Sequence, residues 1–409
     1  MQELKNISKE GYNYIEEMFI KEYGYRYEEL IRNRLSKTNY IFKSPPDITY
    51  FSLKELGYNP KKYKSLEKYY QDYINYRQVV DYIKKKTYKQ IYQYLKINFS
   101  LTDNYLNKHL EEILNLDYQV FSDEYMNILK GPNDERLKSL IIERQNVFLT
   151  KCINLGLPLT SIDSILELDA YISLLASSNQ IEILKLTNFG KELTTHISNT
   201  IDGIPYYKSL NYARKILFND VSARTYPIKV NGNSYTIVHI PILELKDYGS
   251  IDHFLIHENI HSIESNNGKC GITGFHNSNY VTNELKTESK TTRLHNKMKK
   301  DGVFIFDTEQ NCDKTENFYT PFVPLMDYLL QDYEDLFNYC SLYNKVSPLY
   351  KVFGRDNFNN FSMNVSNLYC SVTALNKLLK KGETLSFDLT AYKNQIDEMK
   401  TYSKRKIIK

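Results

Sequence analysis

Apolar and polar residues in the first two hundred positions of the chain follow the period of an α-helix. In the segment 69–83, apolar and aromatic residues recur every three or four positions, which predicts a helix. Ser100 is placed to serve as the N-cap of a second helix. A third helix is expected to open at Pro132 and to end at Gly156, and a fourth is expected to begin near Ser161.

The pattern changes after residue 203, where alternation between neighbouring positions replaces the helical period. Residues 226–242 carry β-forming side chains on both sides of the pair Asn231-Gly232. Asn-Gly supplies the backbone conformations that a tight turn between two strands requires. The segment is therefore predicted to form a β-hairpin.

Helical patterning returns after the hairpin. A helix is predicted to begin at Ser250, and a loop rich in Gly and Asn follows at 265–279. A polar helix capped by Thr282 is then expected to run to Lys300 and to end at Gly302.

The β-forming stretch is short and lies between long helical stretches, which predicts a predominantly helical α+β protein. The expected layout is a helical N-terminal region at 1–202, a compact mixed core at 203–310 and a helical C-terminal region at 311–409. A length of 409 residues has room for about two to three domains.

Charge and hydropathy exclude several classes of protein. The 53 Lys and Arg residues against 49 Asp and Glu residues leave a net charge of +4, which gives no argument for a nucleic-acid partner. No apolar run of about eighteen residues occurs, so a transmembrane span is not expected.

Five cysteines form no C-x-x-C pair, so neither a disulfide framework nor a cysteine zinc site is predicted. The first residues lack a basic segment followed by an apolar stretch, which is the pattern of a secretory signal. A cytoplasmic location is the default expectation, and export without a leader stays open.

The predicted helix at Ser250 contains His257-Glu258-Asn259-Ile260-His261, an H-E-x-x-H sequence. Residues four apart on a helix lie about 40° apart around its axis, so both imidazoles point the same way. Two neutral imidazoles in that arrangement can bind one Zn²⁺ ion, and Glu258 can accept a proton from metal-bound water. The motif predicts His257 and His261 as metal ligands and Glu258 as the catalytic residue.

A catalytic zinc site needs a third protein ligand. The metzincin extension requires Gly at position 264 and His at position 267, where this chain has Glu264 and Asn267, so that class is excluded. No aspartate occurs between Asp252 and Asp301, which excludes an aspartate ligand in this segment.

The stretch Asn283-Glu284-Leu285-Lys286-Thr287-Glu288 resembles the glutamate helix of the gluzincin (thermolysin-like) metallopeptidases. The resemblance covers about fifty residues, 250–300, and Glu284 lies 23 positions after His261. It implies that Glu284 is the third zinc ligand and that Glu288 accepts a hydrogen bond from His257. A ligating histidine requires such an acceptor to fix its second ring nitrogen.

The same resemblance implies that the strand before the active-site helix lines the cleft. Residues 235–243 match that strand, as an edge strand that could pair with an extended peptide. His239 is expected to be packed or on the surface, and His253 to support a ligand or to face solvent. The family also has a donor for the oxyanion. No motif locates this donor here, and the candidates are Tyr280, His276, His295, Tyr319, Tyr350 and Arg355.

The sequence thus favours a zinc-dependent metallopeptidase that acts on peptide or protein substrates. A non-catalytic, zinc-binding helical interaction protein is one alternative. A host-directed protease toxin or effector with the same chemistry is another. The helical region 1–202 could recognise substrate, cover the cleft or bind a partner protein.

Overall fold

The computed structural model is mostly helical with a small sheet, as the sequence predicts. It describes residues 7–42, 66–114, 116, 118–121, 123–130, 135–157, 159, 161–186, 223–230, 233–240, 242–245, 249–266, 269–272, 279–309, 312, 319–376 and 388–407. In these ranges, no helix has the length and apolar character that a membrane span requires.

The described helices are, in chain order, α1 (Lys9–Tyr23), α2 (Glu28–Ser36), α3 (Leu66–Asn98), α4 (Asp103–Leu114), α5 (Asp123–Lys130), α6 (Glu135–Asn154), α7 (Ile162–Leu186), α8 (Ile242–Leu245), α9 (Ile251–Ile263), α10 (Tyr280–Lys300), α11 (Val323–Leu330), α12 (Glu334–Leu342), α13 (Ser347–Phe353), α14 (Arg355–Asn376) and α15 (Thr390–Ile407). Short 3₁₀ turns lie at Tyr25–Tyr27, Tyr118–Phe121 and Thr320–Phe322. The strands are β1 (Thr38–Ile41), β2 (Arg224–Val230), β3 (Asn233–His239), β4 (Ser265–Asn266) and β5 (Lys269–Cys270).

Helices α3 to α7 pack around one buried apolar cluster that runs from Ile91 to Ile172. The predicted helix at 69–83 lies within the longer α3. The Ser161 hydroxyl accepts a hydrogen bond from the Ser164 main-chain N–H at 3.1 Å, so the predicted start of α7 is confirmed. Gly156 follows α6 with φ of +61°, as expected of a residue that ends a helix.

The start of α4 differs from the prediction. The helix begins at Asp103, and the Thr102 hydroxyl accepts the hydrogen bond of the Tyr105 N–H at 3.3 Å. Ser100 has a positive φ of 53° and lies before the helix, so it is not the N-cap. Thr102 takes that role because it directly precedes Asp103. The predicted helix start at Pro132 lies outside the described residues.

The hairpin of β2 and β3 is confirmed, with antiparallel pairing from Arg224↔His239 to Val230↔Asn233. The strand β1 pairs with β3 in parallel, so the sheet order is β1-β3-β2. The prediction that residues 235–243 form an edge strand is therefore wrong, because β3 has a neighbour on each side. Its second neighbour comes from the distant segment Thr38–Ile41, which local alternation does not reveal.

The hydrogen bonds of β3 show which main-chain groups of β2 point away from β3, towards the outer edge of β2. The Thr236 N–H donates to the Lys37 carbonyl at 3.1 Å, so the main chain of Thr236 faces β1. Pro227 lies opposite Thr236 and its main chain must then point away from β3. A proline nitrogen is tolerated there because no hydrogen bond of the sheet is lost.

Helix α9 lies in a buried cluster that joins α1, α2, β1, β3 and α10. The stripe of Ile256, Ile260 and Ile263 on α9 is fully buried in this cluster. The N-terminal segment 7–42 thus shares a core with the segment that carries the H-E-x-x-H sequence. The domain boundaries at 202 and 310 stay predictions, but the first of them is crossed by this packing.

A second set of buried residues joins the start of α10 to helices α11 to α15. Between the two clusters lies a buried ionic group. The Lys286 ammonium donates to both carboxylate oxygens of Glu264 at 2.5 Å and to the Ser341 hydroxyl at 2.6 Å. The Tyr23 hydroxyl also donates to Glu264, at 2.7 Å. Neither Lys286 nor Glu264 is exposed to solvent.

Replacing Lys286 by Met is expected to lower the free energy of unfolding by about 3–5 kcal/mol, because it leaves the Glu264 carboxylate buried without its cation. Urea denaturation measures the change. The double variant Glu264→Gln/Lys286→Met should recover part of the loss, since no unpaired charge is then buried.

The matched control is Lys21→Met, because Lys21 pairs with Glu17 on the surface at 3.8 Å and both side chains are more than half exposed. That change should cost less than about 1 kcal/mol. Equal losses for Lys286→Met and Lys21→Met would contradict the role given to the buried pair.

Candidate metal centre

The start of α9 is fixed by three side chains. The Ser250 hydroxyl accepts a hydrogen bond from the His253 N–H at 3.0 Å, which confirms the predicted N-cap. The Asp307 carboxylate accepts from the N–H groups of Ile251 and Asp252, both at 3.1 Å. In return, Asp252 accepts from the Ile305 N–H at 2.9 Å. These contacts tie the N-terminus of α9 to the segment that follows α10.

The start of α10 is fixed by Asn283. Helix α10 begins at Tyr280, so Thr282 lies inside its first turn and is not its cap. The Asn283 side-chain oxygen accepts from the Ile272 N–H at 3.2 Å. Gly271 has φ of +62°, and a Cβ there would lie 2.1 Å from that same oxygen, so only glycine fits. Gly302 follows the helix with φ of +68°, as predicted.

His257, His261 and Glu284 bring three ligand atoms together at the contact of α9 and α10. The Nε2 atoms of the two histidines are 3.2 Å apart. The Glu284 Oε2 atom is 3.3 Å from His257 Nε2 and 3.2 Å from His261 Nε2. All three residues are buried, and the group could hold a metal ion.

The spacing of these atoms fits a tetrahedral ion. Bonds of about 2.0–2.2 Å at tetrahedral angles separate neighbouring ligand atoms by about 3.3–3.5 Å. The three observed separations of 3.2–3.3 Å lie at or just below the lower limit of this range. Three protein ligands leave a fourth position for water or substrate, as in catalytic sites.

Each histidine has a partner for its other ring nitrogen. His257 Nδ1 lies 3.2 Å from Glu288 Oε2, and His261 Nδ1 lies 3.6 Å from Cys270 Sγ. A proton held on Nδ1 of His257 by Glu288 leaves the lone pair on Nε2, where the ligand atoms meet. The His253 Nε2 also contacts Glu288, at 3.0 Å, so His253 supports the carboxylate and does not join the ligand group.

The charges of this group favour a cation. Burial opposes ionisation of Glu284, but the imidazoles of His261 and His257 hold its pKa far below the usual value. Burial lowers the pKa of His257, yet hydrogen bonds to Glu284 and Glu288 outweigh it and raise that pKa to about 9. The pKa of His261 is raised well above normal against burial, by Glu284 and Cys270. A bound cation can supply the positive charge that protons otherwise supply.

Glu258 is 6% exposed and faces β2. The Thr225 hydroxyl donates to Glu258 Oε2 at 2.7 Å and lies 2.9 Å from the Glu258 carbonyl oxygen. Sequence reasoning did not find Thr225, and no local signal marks it, because its role depends on the register of β2.

Two of the predicted oxyanion donors lie beside the ligand group. The Tyr319 ring stacks on the His257 ring with centroids 6.2 Å apart, and on the Tyr369 ring at 4.9 Å. The Glu284 carboxylate, followed by burial, raises the pKa of Tyr280 well above normal, against a smaller opposing effect of the Tyr319 hydroxyl. Tyr280 is nevertheless 52% exposed, so part of the residue reaches solvent.

The structure does not bring the other candidates to this group. The Tyr350 hydroxyl donates to Asn359 at 2.9 Å, and the Arg355 guanidinium lies over the Tyr350 ring at 5.8 Å, both in the C-terminal helices. His295 Nε2 lies 3.1 Å from the Ser250 hydroxyl, at the far end of α9. His239 is fully buried in β3, as expected of a packed residue, and His276 lies outside the described residues.

No protein-family model, curated protein or solved structure matches the chain.

Cation binding is expected to tighten as the pH rises. The raised pKa of His257, about 9, means that its proton stabilises the metal-free protein below pH 6.5 and that this contribution is lost as the pH rises through 9. A cation must displace that proton, and that of His261 where both rings are charged, so its apparent affinity should rise by about tenfold per pH unit for each proton displaced between pH 6.5 and 8. Competition with a chelator at several pH values measures the affinity.

The controls are Glu284→Gln, which removes a ligand, and Glu288→Gln, which removes the partner of His257. Loss of such a partner costs about 10–100-fold in affinity, and loss of Glu284 should cost more. An affinity that is independent of pH and of both substitutions would exclude a metal centre here.

Proposed function

We propose that the protein is a zinc-dependent metallopeptidase with His257, His261 and Glu284 as the ligands of one Zn²⁺ ion. The observation that carries the proposal is the triangle of ligand atoms with sides of 3.2–3.3 Å, next to a buried glutamate. Two imidazoles and one carboxylate with an open position form a ligand set used by catalytic zinc. The resemblance of residues 250–300 to gluzincins supports the same assignment.

A zinc ion held by His257, His261 and Glu284 would supply an activated water and a Lewis acid for the scissile carbonyl. Glu258 follows the first ligand on α9 and takes the proton of the attacking water, then gives it to the leaving amine. Glu288 would hold the His257 ring through Nδ1, so that Nε2 is directed towards the other ligand atoms. His253 contacts the second carboxylate oxygen of Glu288 and so supports its position.

Among the described strands β2 lies at an edge of the sheet, and its outer edge is the surface on which an extended peptide would lie. Because the main chain of Pro227 points outward, the main chains of Thr225 and Lys229 point outward as well. A peptide can add a strand to such an edge through main-chain hydrogen bonds. Pro227 has no main-chain N–H to offer a peptide. Thr225 offers both a main-chain N–H and a main-chain carbonyl, and its side chain contacts Glu258.

Tyr280 is the donor that we assign to the oxyanion. Glu284 has the largest effect on the pKa of its hydroxyl, and the residue is 52% exposed. Tyr319 is held between the rings of His257 and Tyr369, where it can orient the Tyr280 hydroxyl.

Glu258→Gln is expected to abolish measurable peptidase activity, with a loss of at least about 10²–10⁴-fold, because glutamine cannot take up the proton. Zinc content by mass spectrometry should stay at one ion per chain, since Glu258 is not a ligand. Full activity in this variant would end the proposed mechanism.

The same experiment separates the alternatives. A wild-type protein that binds zinc and cleaves nothing in a broad peptide library would favour the non-catalytic interaction protein. An active protein leaves the toxin or effector alternative to a translocation assay, since the chemistry is then shared.

Tyr280→Phe is expected to lower kcat by about 10²–10³-fold with little change in KM, because an oxyanion donor acts in the transition state. Tyr350→Phe is the matched control, since its hydroxyl bonds to Asn359 away from the site. If both variants retain the kcat of the wild type, Tyr280 is not the donor.

A further inference from the structure

Thr225 is the second residue of β2 and makes two contacts with one residue of α9. Its hydroxyl lies 2.7 Å from Glu258 Oε2 and 2.9 Å from the Glu258 carbonyl oxygen. Both of those oxygens are acceptors when the carboxyl is ionised, so the threonine hydroxyl is the donor. Among the described residues, it is the side chain that donates a hydrogen bond to this largely buried carboxylate.

The register of the sheet directs this hydroxyl at α9. Thr225 pairs with Val238, and Val238 belongs to the buried cluster that contains Leu255 and Ile260 of α9. Directly opposed residues share a face of the sheet, so the Thr225 side chain points to α9 as well. A slip of one residue would place Arg224 or Tyr226 there instead, and neither carries a hydroxyl on its Cβ.

A glutamate side chain has three rotatable bonds, and a general base must lie within hydrogen-bond reach of the proton it takes. A donor on one carboxylate oxygen fixes the plane of the group and leaves the other oxygen to accept the proton. Thr225 itself touches no ligand atom of the proposed zinc site, so it acts through Glu258.

We propose that Thr225 is a positioning residue that holds Glu258 in the orientation required for proton transfer. This inference rests on the proposed peptidase function. It assigns a task to β2 beyond substrate binding, since the same residue presents its main chain to the outer edge and its hydroxyl to the catalytic carboxylate.

The first test uses the full chain loaded with zinc and compares Thr225→Val with Thr225→Ser. Valine keeps the shape and the β-propensity of threonine but lacks the hydroxyl, so the strand should be retained. We expect Thr225→Val to lower kcat by about tenfold or more, with KM within about twofold and the zinc content unchanged. Thr225→Ser keeps the donor and should restore most of kcat.

Thr236→Val is the matched control, because Thr236 is a buried threonine on the same face of the neighbouring strand and has no described contact with Glu258. Its kcat should equal that of the wild type. If the loss of a threonine hydroxyl acted only on the structure of this hairpin, kcat would fall by the same factor in both variants.

The second test measures the contact without catalysis. In the metal-free full chain, the urea midpoints of Thr225→Val, Glu258→Ala and the double variant should be non-additive, because the two side chains touch. The corresponding cycle of Thr236→Val with Glu258→Ala should be additive.

The outcomes separate the two proposals. A zinc-loaded wild type without peptidase activity overturns the proposed function and the role of Thr225 with it. If the wild type is active, three results would overturn the role of Thr225 alone. These are full kcat in Thr225→Val, a kcat of Thr225→Ser as low as that of Thr225→Val, or additive urea midpoints in the cycle of Thr225→Val with Glu258→Ala.

Discussion

The site depends on the fixed contact between α9 and α10, because its three ligand atoms come from two helices. Moving one residue along a helix advances about 1.5 Å and turns the side chain about 100°. A shift of α10 by one residue against α9 would therefore carry Glu284 away from His257 and His261. The close approach of these three side chains is evidence that the contact has one register.

Polar contacts set that register at the ends of the helices. Asp307 accepts from the start of α9, Asp252 of α9 accepts from the segment after α10, and Asn283 accepts from the Ile272 N–H after β5. The Glu264–Lys286 pair joins the end of α9 to the middle of α10. Buried ion pairs add little net stability over apolar packing, but each has few satisfactory geometries. Here these polar contacts select one register of α9 against α10, because contacts between apolar stripes are less specific in their geometry.

The parts that the sequence predicted are those that depend on neighbouring residues. The spacing of His257 and His261, the Ser250 cap and the hairpin around residues 231–232 all follow from local geometry. The position of β3 in the sheet does not, because its second partner is Thr38–Ile41, far away in the chain. The starts of α4 and α10 were also misplaced, since several cap-forming residues lie close together before each helix.

Thr225 is a site residue that could not be predicted from the sequence. A threonine in a strand carries no sign of its partner, and its contact with Glu258 exists only because β2 pairs with β3 in one register. In that register, the hydrogen bond from Thr236 to Lys37 implies that the main chain of Pro227 points outward. Since side chains and main-chain groups alternate with a period of two, this one assignment orients every residue of β2. The register of β2 against β3 thus determines which side chain of β2 meets the glutamate of α9.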